Sequence, residues 1–173
     1  MQTKDGKPII IRRLNETDVQ DIYALMLDVL SRLPSQDLFA MYDEAFITYH
    51  LNEHGEIYGA YVNGNLVAYS VISYPDKSDN LGPEFGVPVE ELSHVAVLDS
   101  TVVHESVRGM GLQRYFHRLR EERARKRGCL YLYSTVHPDN LPSVRNLDEA
   151  GLTLQFTRPM YGGKMRHCYA KRL

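Results

Sequence analysis

The stretch VVHESVRGMGLQRYFHRL, residues 102 to 119, limits the fold more than any other part of the chain. It opens as a β-branched run, passes two glycines spaced two apart, and continues with Leu112, Tyr115, Phe116 and Leu119 at helical spacing. The run before it, LSHVAVLDSTVVH at 92 to 104, is apolar on both alternating faces, as a strand in the middle of a sheet is. Gly128 is placed to close the helix as a left-handed cap, and CLYLYSTV at 129 to 136 reads as another buried strand. Strand, helix and strand in succession imply a right-handed crossover and parallel neighbours.

The remaining elements fit around that pair. PIIIRRL at 8 to 14 predicts a strand, and Thr17 to Gln20 has the spacing of a capping box. The helix that follows places Val19, Ile22, Tyr23, Met26, Val29, Leu30 and Leu33 on one face until Pro34 stops it. A weaker helix is expected from about 42 to 51. Asn63-Gly64 between two β-rich runs predicts a type I′ hairpin. Residues 75 to 91, with three prolines and two glycines, predict a long loop that either borders a binding site or is a surface excursion. Asn140 should cap a short helix with Pro142 in its first turn and Gly151 at its close, and LTLQFTR and MRHCYAKRL supply two last strands. The expected fold class is α/β: a mixed, mostly antiparallel sheet with a parallel central pair and helices on both faces.

At 173 residues and 43% hydrophobic composition, the whole chain, 1–173, is expected to form one domain. Its 20 basic and 22 acidic residues give no excess of positive charge for nucleic acid or anionic lipid. No run approaches the roughly 20 apolar residues of a membrane span, and the first eight residues lack the apolar core of a signal peptide. A cytoplasmic protein is expected. Cys129 and Cys168 have no metal-like spacing and read as buried reduced thiols, so no metal is expected.

A strand that turns through Gly109 and Gly111 into a helix leaves backbone N–H groups facing outward at the positive end of the helix dipole. Such a turn suits an anion, with Arg108 adding a charge-assisted bond, and it also suits plain turn chemistry. The Gly-Lys-Ser/Thr of a P-loop and the G-x-G-x-x-G of a dinucleotide fold are both missing here.

Arg108-Gly-Met-Gly111-Leu-Gln113 resembles the R/Q-x-x-G-x-G/A acyl-CoA signature of the GNAT superfamily of N-acyltransferases, with Gln113 where the pattern has a small residue. HPDNLPSVRNLDEAGL, 137 to 152, is similar to that family's stretch after the next strand. The resemblance implies a three-layer α-β-α fold and acetyl-CoA as cosubstrate. It implies that Thr101, Val102 and Val103 pair with the pantetheine arm. Arg108, Gly109, Met110, Gly111, Leu112 and Gln113 would cradle the pyrophosphate, and Asn140 and Ser143 would lie near the thiol. Arg114, Arg118 and Lys126 either meet the 3′-phosphate or form a solvated face.

Acetyl transfer to an amine with a pKa near 10.4 requires loss of a proton before attack, a donor for the oxyanion and a proton for the leaving thiolate. Asp99 interrupts an otherwise apolar strand and is the first candidate base, with Glu91 next. A structural carboxylate bonded to nearby amides is the alternative for Asp99. In many relatives the acid is a Tyr seven residues after the Asn; here that position is Leu147, leaving Tyr133, Tyr161, His137 or water. The expected reaction is transfer of an acetyl group from acetyl-CoA to a primary amine of a small molecule or peptide, by direct attack in a ternary complex. A non-catalytic acyl-CoA sensor is the alternative. The acceptor should be set by the 75–91 loop and the segment around 34 to 54, whose acidic residues Asp37, Asp43, Glu44, Glu53 and Glu56 suit either a cationic acceptor or a solvated surface. Whether the protein is a monomer or a homodimer is open.

Overall fold

A computed structural model describes residues 1–173. Strand β4 (Val95–Val103) lies parallel to β5 (Tyr131–Val136), and helix α3 (Leu112–Lys126) joins them, as the strand, helix, strand succession demands. Five more strands complete the sheet: β1 (Ile10–Arg13), β2 (Gly55–Val62), β3 (Asn65–Ser73), β6 (Thr153–Met160) and β7 (Lys164–Arg172). The order is β1-β2-β3-β4-β5-β7-β6, and every neighbouring pair but β4 and β5 is antiparallel. The β2–β3 hairpin turns through Asn63 at φ 50° and Gly64 at φ 78°, the left-handed pair that a type I′ turn needs.

Helices cover both faces, giving the expected three layers. On one side α1 (Val19–Leu30) and α2 (Glu44–His50) bury Ile22, Met26 and Ile47 against Ile57, Tyr69, Val71 and Val102. On the other, α3 and α4 (Leu141–Glu149) bury Phe116, Ala124 and Leu147 against Ala60, Ala68, Ala96, Leu98 and Leu132. The small β-face residues let α3 approach the sheet closely.

Three local expectations change. The capping box lies at Asn15 and Asp18, not at Thr17 and Gln20. Asn15 accepts from the Thr17 N–H at 2.9 Å, and Asp18 accepts from the Asn15 N–H at 2.9 Å. Asp18 is also held by both terminal nitrogens of Arg12, at 3.0 and 2.7 Å, whereas Gln20 reaches across to Glu44. The ionised Asp18, fixed by Arg12, is a stronger partner than a neutral amide.

The second change is in residues 75 to 91, which contain 3-10 turns at Gly82–Phe85 and, running on into His94, at Val89–His94. Buried Asn80 bonds Leu92 O and Gly82 N, both at 2.8 Å, and Val87 and Leu92 pack on Tyr133, Cys168 and Ala170. This segment packs Val87 and Leu92 over one face of the sheet and leaves Asp76 to Asp79 exposed. As the third change, the central strand begins at Val95 instead of Leu92, because Pro88 opens a turn that continues through His94. Cys129 and Cys168 are buried free thiols. No helix is long and apolar enough to cross a membrane.

Candidate active site

The parallel pair comes apart partway along. β4 and β5 are in register only from Val95↔Tyr131 to Val97↔Tyr133; β5 then continues against β7, and β4 continues against β3. A bulge drives the separation. Ile72 pairs with Leu98 and Ser70 with Thr101, so β4 carries one more residue than β3 between those pairs. Asp99 and Ser100 occupy the bulge. Arg120, 1% exposed, reaches up from α3 and donates to the carbonyls of Val71 at 3.0 Å and Asp99 at 3.1 Å, the groups that the bulge frees. Ser134 Oγ donates to Leu98 O at 2.7 Å where the ladder stops.

Beyond that point the β5-facing edge of β4 has no strand partner, so its backbone groups are open to a ligand. Two adjoining cavities fill the wedge. The outer one, about 560 Å³, runs from the end of α1 past Thr101, Val102 and Val103 to Arg108, Gly109 and Gly111, and on to Asn140 and Ser143. The inner one, about 140 Å³, contains Asp99 and Ser100, His137 and Leu147, and is closed on the far side by Phe39, Tyr161 and Arg166.

The glycine turn meets the outer cavity. Gly109 and Gly111 have φ of 75° and 78°, and a Cβ on either would enter open space, so backbone conformation is what demands glycine there within the protein itself. Gly111 is the N-cap of α3 and no side chain caps that end, leaving the first-turn N–H groups directed outward. Leu112, 2% exposed, anchors the turn in the core, and Met110 packs beside the same cluster. Arg108 folds back onto Val103 O at 3.2 Å. Arg114 lies 3.7 Å from Glu149, whereas Lys126 sits at the far end of α3 paired with Glu122. Gln113 reaches Ser143 Oγ at 3.5 Å, and Asn140 Oδ1 caps α4 by accepting from Ser143 N at 3.4 Å. The turn, the β4 edge and the α4 N-terminus thus surround one wedge.

The profile of the Acetyltransferase (GNAT) family matches residues 19–151. The chain belongs to the GNAT acetyltransferase family. No protein of curated function matches it in sequence. Among solved structures, the ribosomal-protein-alanine N-acetyltransferase from Brucella melitensis superposes with a TM-score of 0.72 at 19% identity, over 95% of this chain and 99% of that one. The ribosomal-protein-S18-alanine N-acetyltransferase from Escherichia coli gives 0.68 at 17% identity, over 95% and 94%. The yncA protein from Salmonella typhimurium, solved with its cofactor acetyl-CoA, gives 0.73 at 15% identity, over 96% and 94%. At these identities the likeness is one of fold.

Within this GNAT chain the candidate acid-base residues separate. Asp99 lines the inner cavity, its Oδ2 accepting from Ser73 Oγ at 2.9 Å and its Oδ1 from the Ser100 N–H at 2.8 Å. Glu91 does not reach the cavity. It lies before the start of β4, at the opposite end from the glycine turn, where Tyr131 donates to it at 2.5 Å. Tyr133 is in the core beneath the 80–94 cover, edge-on to Phe85 with its hydroxyl 3.4 Å from Asp79 O, and burial raises its pKa. It does not line the wedge because it pairs with Val97 where the β4–β5 ladder is still closed, whereas Ser134 to His137 lie beyond the last rung. Tyr161 and His137 do line the cavity: Tyr161 OH bonds Thr135 Oγ1 at 2.9 Å, and His137 Nδ1 accepts from Asp139 N at 3.0 Å.

Sequence reading passes over two cavity residues on α3. His117 and Arg120 are buried, and His117 Nδ1 and Arg120 Nε have no hydrogen-bond partner in the protein. Burial, with the charges of Arg120 and Lys171, takes the His117 pKa down to about 3. Burial also pulls Arg120 down to about 9, against the attraction of Asp99. The signal was there: Arg120 continues the four-residue stripe Leu112, Phe116, Ala124, a charge in a row that otherwise faces the core. Tyr42 is a third omission. It accepts from Ser100 Oγ at 3.0 Å and bonds Tyr69 OH, so the segment leading into α2 also touches the bulge.

Proposed function

We propose that this GNAT protein transfers an acetyl group from acetyl-CoA to a primary amine by direct attack within a ternary complex. The observation that carries the reading is the free edge of β4, which leads through a double-glycine turn into an uncapped helix N-terminus. Thr101 to Val103 are suited to pair with the pantetheine amides, and Arg108 to Gln113 to take the pyrophosphate on backbone N–H groups. Asn140 and Ser143 flank the thioester end.

In this reading Asp99 accepts the proton of the incoming ammonium, directly or through a water. The amine nitrogen then bonds to the acetyl carbon. A backbone N–H near Val102 holds the oxyanion, and the C–S bond breaks to release CoA thiolate. The nitrogen gives up its second proton, which water or Tyr161 relays to the thiolate, since Leu147, 3% exposed, has none to give. No cysteine is placed for a covalent relay, as both are buried and Cys168 has its pKa raised to about 12 by burial.

Leu147 is also what favours the second reading, an acyl-CoA-binding module without turnover. The deciding experiment is release of free CoA across a panel of primary amines, with the Asp99→Asn variant as control. Amine-dependent release that falls in the variant supports transfer. Tight binding with no release across the panel supports the module.

A further inference from the structure

The inner cavity has an unusual charge balance. Asp99 is the only carboxylate on its wall, against two guanidiniums, Arg120 and Arg166. Arg166 is 2% exposed yet has no acidic partner: NH2 donates to Asp37 O and NH1 to Met165 O, both at 2.8 Å, and no bond goes to a carboxylate. The Asp37 side chain attracts it from an exposed position beyond ion-pair distance. Arg120 likewise bonds only carbonyls, and its Nε is unpartnered. Buried charges are ordinarily paired, because removing an ion from water costs several kcal/mol that carbonyl dipoles only partly return.

Three of the five acidic residues that suggested a cationic acceptor are engaged in other contacts. Asp43 caps α2, Glu44 holds Gln20, and buried Glu56 is paired with Arg123. On β7, Lys164 shares a face with Arg166 and donates to Phe39 O at 3.2 Å, so the wall that closes the cavity is held by cations.

Building on the acetyl-transfer reading above, we infer that the acceptor is a small amine bearing a carboxylate close to its amino group, as an α-amino acid does. Its carboxylate meets Arg166 in the charge-assisted, forked geometry that guanidinium and carboxylate favour. Its ammonium faces Asp99, which lines the same cavity. The zwitterion supplies the anion that Arg166 lacks and sets its cation beside the cavity's one carboxylate. The cavity's volume, about 140 Å³, suits a small molecule.

The test compares amino acids with their α-carboxamides and with the matching amines lacking the carboxylate, at equal concentrations of unprotonated amine, reading kcat/KM from CoA release. The expected result is a preference of at least tenfold for the carboxylate, carried in KM, which Arg166→Gln abolishes and Arg166→Lys partly keeps. Acetyl-CoA should still raise the melting temperature of both variants. If amides or plain amines react as well as the acids, the carboxylate assignment fails while acetyl transfer stands. If Arg166→Gln lowers stability and leaves the wild-type preference intact, Arg166 merely braces residues 36–39 and the assignment fails again. If no amine releases CoA, the acetyl-transfer reading falls and takes this one with it.

Discussion

Arg120 NH1 lies 3.1 Å from the backbone carbonyl of Asp99, so the helix that opens at the glycine turn also fixes the residue proposed as the base. One rigid element therefore sets both ends of the reaction geometry. Replacing Arg120 with Met removes the bonds to Val71 and Asp99 and lets the bulge relax. A displacement of that kind costs on the order of 100-fold in rate. Steady-state kinetics should show kcat falling by about that factor with the KM for acetyl-CoA little changed, and Arg120→Lys should recover part of it. Equal kcat in all three proteins would remove Arg120 from a positioning role.

Asp99 itself is tested by Asn, which keeps its size: its oxygen can still accept from the Ser100 N–H, and its NH2 can donate to Ser73 Oγ. Loss of a general base costs typically 100- to 10,000-fold. The expected drop in kcat/KM lies in that range near neutral pH and narrows at high pH, where the amine deprotonates unaided. A variant with wild-type rates at all pH values would return Asp99 to a structural role.

His117 makes a prediction about stability against pH. Its folded pKa, about 3, lies below the 6.5 of an exposed histidine, so below pH 6.5 the unfolded chain binds a proton that the folded chain refuses. The fold therefore loses stability as pH falls from about 6.5 towards 3. His117→Phe should lessen the acid-side loss in urea titrations at pH 5 relative to pH 7. An unchanged difference between the two pH values would show that His117 is charged or solvated in the fold.

On the same face of the sheet, Glu56 receives Arg123 Nε at 2.8 Å and Tyr58 OH at 2.6 Å. Burial pushes its pKa up, but these bonds outweigh burial and leave it below the usual value. The pair thus stabilises the fold above the unfolded pKa of Glu56, and that contribution is lost as pH falls through the folded value. Glu56→Gln should cost about 2 kcal/mol at pH 7, less than a fully buried pair because Arg123 is 32% open to solvent. Denaturant unfolding at pH 7 and pH 4 measures both the size and the sign.

Much of this architecture is written in local chemistry. Asn63-Gly64, Gly128 and the helical spacing from Val19 act through nearby atoms, although α1 ends at Leu30 with Ser31 as its cap, before Leu33 and Pro34. The glycine turn and the Asn140 cap are legible for the same reason. What distance hides is register. Whether Tyr133 or Thr135 faces the wedge depends on where the β4–β5 ladder ends, and that depends on a bulge held by Arg120 from another layer. Glu91 sits near Asp99 in the sequence but at the other end of the strand, which rises about 3.3 Å per residue. Arg166 and Phe39 meet in the cavity although far apart in the chain, and no local motif announces a contact of that kind.

The wedge between β4 and β5 is proposed to bind acetyl-CoA. Thermal unfolding with and without acetyl-CoA, on the wild type and on Arg108→Glu, tests that binding most directly. At 100 times Kd the ligand adds about 2.7 kcal/mol, a rise of roughly 5 to 10 °C for a chain of this length. The rise is expected in the wild type, is expected to be lost in the variant, and is expected to be absent with ATP or NAD. No rise with acetyl-CoA in the wild type, or an equal rise with ATP, would contradict the proposal.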